Sequence, residues 1–126
     1  MDLATEISPE TRTAVSNEIA RIHAQHFGRG PEETKTFADD RFVFCVMRGG
    51  LTQLERTLID GGAVDLVRAV RLRFQELMAP VFFEAVERVV GRPVIDYHSQ
   101  LLMNAQHVVE VFVLGEPRRD ATTEVG

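Results

Sequence analysis

The chain contains no tryptophan, one tyrosine, one cysteine and, read residue by residue, one lysine, Lys35, among its 14 basic side chains. A lone cysteine, Cys45, excludes an intrachain disulfide and fits a reducing compartment. No apolar run approaches the roughly 20 residues that a membrane-spanning helix needs, so no direct membrane insertion is expected. The opening residues Met1, Asp2, Leu3, Ala4, Thr5 and Glu6 carry neither a basic cluster nor an apolar core. No export leader is therefore expected, and the reading is cytoplasmic. A surplus of positive charge is also missing: 14 basic against 19 acidic residues gives a net charge of −5. Without a broad basic surface there is no counterion release to drive nucleic-acid binding, so no nucleic-acid partner is expected.

What is present is the composition of a folded chain. Of 126 residues, 44% are hydrophobic and 26% charged, which argues against disorder. The length suits one domain, expected over residues 8–115, with flexible termini at 1–7 and 116–126. The arginines are spread along the chain, as a coding bias would spread them; anion binding is the alternative meaning of that excess.

Local signals divide the chain cleanly. Ser8 can cap a helix, Pro9 fits its first turn, and Glu10 suits the positive end of its dipole. Val15, Ile19, Ile22 and His26 then recur at helical spacing, and Gly28 stops the helix near Phe27. Thr34 to Phe37 and Arg41 to Arg48 have strand composition and flank the turn residues Asp39 and Asp40. Thr52 and Glu55 form a capping box for a short helix ending at Gly61 and Gly62. A long helix follows, Ala63 to Val90, with Val67, Val70, Phe74, Leu77, Val81, Ala85 and Val89 on its expected inner face. Pro80 predicts a kink or break between Gln75 and Pro80. Val94 to Gln100 reads as a strand with Val94, Asp96 and His98 on one side, and His107 to Leu114 as a second. The order αββ-αα-ββ predicts an α+β fold: a four-stranded, mainly antiparallel sheet of two hairpins, with three to four helices packed on a face. The surplus of apolar strand residues predicts a homodimer in which sheets or long helices meet.

Several residues could carry chemistry. His23 and His26 lie three apart on the first helix, but no third ligand lies nearby, and no metal site is expected. His26 is placed on the core stripe and His23 at its margin. Cys45, among Phe42, Val43, Phe44 and Val46, reads as a small core residue rather than a nucleophile. Gly28, Arg29, Gly30 and Pro31 make a loop whose free amides and arginine could cradle a small anion, with His23 and His98 as companions. The other reading of that loop is a rigid helix-to-strand turn. It is neither a Walker loop nor a dinucleotide fingerprint, and no cofactor is expected. Asp96, His98 and Ser99 cannot form a hydrolase triad, because neighbouring strand positions face opposite ways. No catalytic residues are assigned.

The stretches Ile19 to His23, Phe27 to Pro31, Lys35 to Phe37 and Arg48 to Leu58 resemble a family of small bacterial proteins, the MpsC type. The similarity continues through Phe74 to Pro80, Val89 to Val94, His98-Ser99 and Val111 to Leu114. It spans about residues 15–115, and its combination of Gly-Arg-Gly-Pro with Leu-Thr-x-x-Glu is the specific part. Many members carry a charged Lys-Thr-Gly-Glu turn after the third strand; residues 98–106 here depart from it. The resemblance implies a link to a sodium-translocating, membrane-potential-generating system and supplies no catalytic residues.

These readings support a non-catalytic accessory or regulatory protein that senses a small anion and acts with a membrane transport protein. A small enzyme built around His23, Arg29 and His98 is the first alternative. A purely structural homodimeric interaction module is the second.

Overall fold

The computed structural model describes residues 7–117; the expectations for residues 1–6 and 118–126 lie outside that range. Helix α1 runs Pro9–Phe27. The Ser8 side chain accepts from the Thr11 amide, and Gly28 closes the helix at φ 80°, a left-handed backbone that glycine adopts without a Cβ clash. Strands β1 (Glu33–Ala38) and β2 (Phe42–Arg48) form the first hairpin. Its turn is held by Asp39, whose carboxylate accepts from the Arg41 and Phe42 amides and sits below the usual carboxylate range for that reason.

Helix α2 (Gln53–Asp60) begins with the full capping box, Thr52 and Glu55 bonding each other's amides. Helix α3 runs without interruption from Val64 to Val90, with Pro80 inside it. The expected break is absent. A proline removes one amide donor, and the carbonyl it leaves belongs to Glu76, on an exposed stretch that water can reach. Three helices result, not four. Strands β3 (Val94–Leu101) and β4 (His107–Leu114) form the second hairpin.

All pairings are antiparallel and the strand order is β1-β2-β4-β3, so the hairpins join through β2 and β4. One sheet face packs under α1 and α3. It contributes Val43, Cys45, Met47, Val108, Phe112 and Leu114 to the core, against Val15, Ile19, Ile22, Val67, Phe82 and Val86 from the helices. No helix covers the other face among the described residues.

Three expectations need correction. His23 is buried and His26 exposed, the reverse of their assignment, because the inward arc of α1 runs through Ile19, Ile22 and His23. Val70, Leu77 and Val81 point outward. The inward residues of α3 are Val67, Gln75, Phe82, Ala85 and Val86, with Phe74, Met78 and Val89 packed beside them. In β3, the register shifts between Val94 and Asp96. Ile95 is the extra residue of that bulge, so Val94 joins the buried face while Asp96 and His98 stay exposed.

Candidate functional site

Two features stand out on the fold: a polar cluster buried in the core and an apolar sheet face left open. The cluster centres on Glu110 of β4, which is 1% exposed. Strand alternation places it between Val108 and Phe112 on the helix-covered face. Its Oε2 accepts from the Tyr97 hydroxyl at 2.9 Å and lies 3.4 Å from His23 Nε2. Its Oε1 is buried with no hydrogen-bond partner among the described residues. The Tyr97 hydroxyl is pushed well above its usual range, first by burial and then by the Glu110 carboxylate beside it.

Aromatic rings wall the cluster. His23 stacks on Phe27 with centroids 5.6 Å apart and meets Phe82 at the same separation. Tyr97 stacks on Phe112 at 4.9 Å. Directly across from Glu110 on β2 is Cys45, fully buried. Burial pushes its thiol up to about 12, with the Glu110 charge adding to the rise against the Thr36 contact. A thiol so placed is protonated and inert, which is the core role expected for Cys45. From Cys45 the polar contacts continue to the Thr36 hydroxyl at 3.3 Å and on to Ser16 at 2.6 Å, at the edge of α1.

The residues singled out for a small anion do not converge. His23 lies under the helices and lines a void of about 10 Å³ with Pro31, Met47, Gly50, Leu51 and Arg71; neither Arg29 nor His98 reaches it. His98 projects from the opposite sheet face beside Gln100, on the edge strand β3, where the Gln75 side chain of α3 also lies 3.4 Å from its Nδ1. Arg29 is exposed in the loop after α1 and makes no hydrogen bond or ion pair among the described residues. Gly28 closes the helix, and Gly30 runs close to α1, where a Cβ would meet Ala24 at 3.5 Å. Pro31 lies against Gly50 in the same way. These contacts favour the rigid-turn reading of the loop. Among the described residues no three His, Cys, Asp or Glu side chains are grouped to hold a metal.

A wider depression of about 390 Å³ lies between the loops after β2 and β3, walled by Glu32, Arg48, Arg56, Asp60, Asn104 and Gln106. Both signs of charge line it, and none of the residues singled out in the sequence does. Beside it, Arg71 binds both oxygens of Glu55, at 2.6 and 2.8 Å, donates to the Gly50 carbonyl and lies over the Phe27 ring at 4.7 Å. One guanidinium thus ties α3 to the α2 cap, to the loop after β2 and to the end of α1.

The open face carries Phe37 on β1, Phe42, Phe44 and Val46 on β2, and Val109, Val111 and Val113 on β4. The three phenylalanines are exposed, and Phe37 stacks on Phe44 at 5.0 Å with Lys35 over its ring. Charged and polar groups rim the patch: Glu33, Arg48, Asp96 and His98. A contiguous apolar surface with a polar rim is the form of a protein-binding face.

Sequence reasoning missed Glu110. The signal was there: one carboxylate in a run of Val, Phe and Leu, in phase with the buried positions of β4. It also missed Arg71, whose role depends on three segments far apart in sequence.

The family model described as Na+-translocating membrane potential-generating system (MpsC) matches residues 8–116, and the chain belongs to that family. Membership points to a role in a Na+ membrane-potential system. No curated protein and no solved structure matches the chain. Among the described residues, no helix is long and apolar enough to cross a membrane.

Proposed function

We propose that this MpsC-family chain is a non-catalytic accessory or regulatory protein of a Na+ membrane-potential system, acting in the cytoplasm as a homodimer. It works by docking onto a membrane transport protein through its open sheet face. The observation behind this reading is that face: seven apolar side chains on three adjacent strands, uncovered by any described helix, with Lys35 over the Phe37 ring and further charges at the rim. Burying such a patch contributes on the order of 25 cal/mol per Å² of apolar area. The family supplies the membrane-potential context.

The enzyme alternative needed His23, Arg29 and His98 around one cleft; His23 and His98 lie on opposite faces of the sheet. Anion sensing, within the accessory role, would rest on Arg29, which is exposed and makes no hydrogen bond or ion pair among the described residues.

The test is a photoreactive amino acid in place of Phe44, activated in living cells. The expected adduct joins this chain to a Na+-transporting membrane protein. Adducts only to a second copy of the chain, or none at all, would refute the docking role.

A further inference from the structure

The two edges of the sheet, β1 and β3, end differently. The Leu102 amide bonds the His107 carbonyl, and this phase turns the backbone groups of Tyr97, Ser99 and Leu101 outward from β3. Side chains take three of them. The Asp96 carboxylate accepts from the Tyr97 amide, Gln75 Oε1 accepts from the Ser99 amide, and Arg68 donates to the Leu101 carbonyl. The bulge at Ile95 bends the same edge away from any neighbour. Side-chain cover and a bulge are how a sheet closes an edge against further strands.

Strand β1 has no such cover. The Asp39 amide bonds the Phe42 carbonyl, so the ladder to β2 uses Phe37, Lys35 and Glu33 and turns the amides and carbonyls of Thr34, Thr36 and Ala38 outward. Among the described residues none of these outward groups has a hydrogen-bond partner. A groove of about 310 Å³ follows this edge, between Thr34 to Thr36 and the flank of α1 at Thr13, Ser16 and Asn17. An open edge of this kind is a template for one more strand.

Parity and charge say which strand fits: a second copy of β1, antiparallel across a two-fold axis. In such a pair the residues on either side of the axis meet each other's copies. Centring on Glu33 or on Lys35 sets that charge against its own copy. Centring on Thr36 puts Glu33 opposite the partner's Asp39. Centring on Phe37 carries the Asp39-Asp40 turn into the ladder and leaves only Thr36 to Ala38 paired. Centring on Thr34 satisfies both demands. Its outward amide and carbonyl meet those of the partner's Thr34. Glu33 then lies opposite the partner's Lys35, and Lys35 opposite the partner's Glu33, in the positions where cross-strand side chains come closest.

From this we infer that the β1 edge is the homodimer interface: two copies pair edge to edge and antiparallel about Thr34, with Glu33 and Lys35 fixing the register. The inference rests on the homodimer proposed above and assigns its surface. The axis stands perpendicular to the sheet, so the helices of both copies lie on one side, and the two open faces merge into one that is free for a transport protein.

Sedimentation equilibrium on the full chain and its variants tests it. The wild type is expected to be a dimer and Phe44→Glu still a dimer. Thr34→Pro should be a monomer: it removes an outward amide that the β2 ladder does not use, a place where an edge strand accepts proline. Lys35→Glu should weaken the dimer about tenfold by setting like charges opposite each other, and Lys35→Glu combined with Glu33→Lys should restore it. Circular dichroism of each variant checks that the fold is kept; if Thr34→Pro does not fold, Lys35→Glu and its rescue decide. A dimer untouched by Lys35→Glu, or one broken by Phe44→Glu, would overturn the β1 edge while leaving the homodimer standing. A wild type that stays monomeric to about 100 μM would overturn the edge pairing and the homodimer together. Docking to a transport protein is read separately, by cross-linking from position 44.

Discussion

His23 Nε2 lies 3.4 Å from Glu110 Oε2, joining the first helix to the last strand across 87 residues of sequence. The same oxygen takes the Tyr97 hydroxyl from the neighbouring strand. A carboxylate in an apolar core is costly unless its partners stay in place, so this cluster fixes how α1, β3 and β4 sit together.

Removing one partner should therefore cost more than replacing the group whole. Tyr97→Phe is expected to lower the unfolding free energy by about 1–3 kcal/mol, the penalty for an unsatisfied buried acceptor. Glu110→Leu in the Tyr97→Phe background should recover part of that loss, because no carboxylate is then left without its donor. Urea unfolding of the wild type, both single variants and the double variant gives the coupling. Strictly additive losses would show that Tyr97 and Glu110 act independently.

The Arg71–Glu55 pair gives a pH signature. Burial raises the Glu55 carboxyl, but the Arg71 fork and the Thr52 amide outweigh it, and the group ends below its usual range. With the folded value depressed, the unfolded chain takes up the proton first as pH falls. The pair's contribution is therefore complete above the unfolded value of about 4.3, and it is lost as pH drops through the lower folded value. Arg71→Met should cost about 3 kcal/mol at pH 7, since it leaves a buried carboxylate unpaired. The gap between wild type and variant should narrow below about pH 4. Urea midpoints measured from pH 3 to 7 check this; a gap that does not change with pH would contradict it.

Cys45 should resist modification. Its thiol is fully buried and pushed up to about 12, chiefly by desolvation. A disulfide reagent is expected to label the native protein only at the rate of local opening, and to label it fully and at once in denaturant. Rapid, complete labelling of the native state would mean that β2 is not held as described.

Much of the fold was legible because its punctuation is local. Ser8 with Pro9, Gly28, Asp39 and the Thr52–Glu55 box each act within a turn of chain, and each marks the element boundary where the sequence places it. The errors arose where a choice between faces depends on distant partners. α3 carries two apolar stripes of the same period, and periodicity cannot say which one the sheet covers; Val70, Leu77 and Val81 were thus placed inside. His23 and His26 differ by less than one turn, and only the aromatic pocket of Phe27, Phe74 and Phe82 decides between them. The bulge at Ile95 reversed the face of Val94 with no glycine or proline inside the strand to announce it. Of the residues grouped for an anion, Gly28 and Gly30 act as turn residues, and His23 and His98 separate to opposite faces because strand parity and helix phase send them apart.

The account stands most directly on whether the open sheet face carries the function. The measurement is the Na+-dependent membrane potential of cells in which the native chain is replaced by Phe37→Asp/Phe44→Asp, compared with cells carrying the wild type at equal abundance. The account predicts a folded, dimeric variant that fails to support the potential. A full wild-type potential with both phenylalanines replaced by aspartate would contradict it.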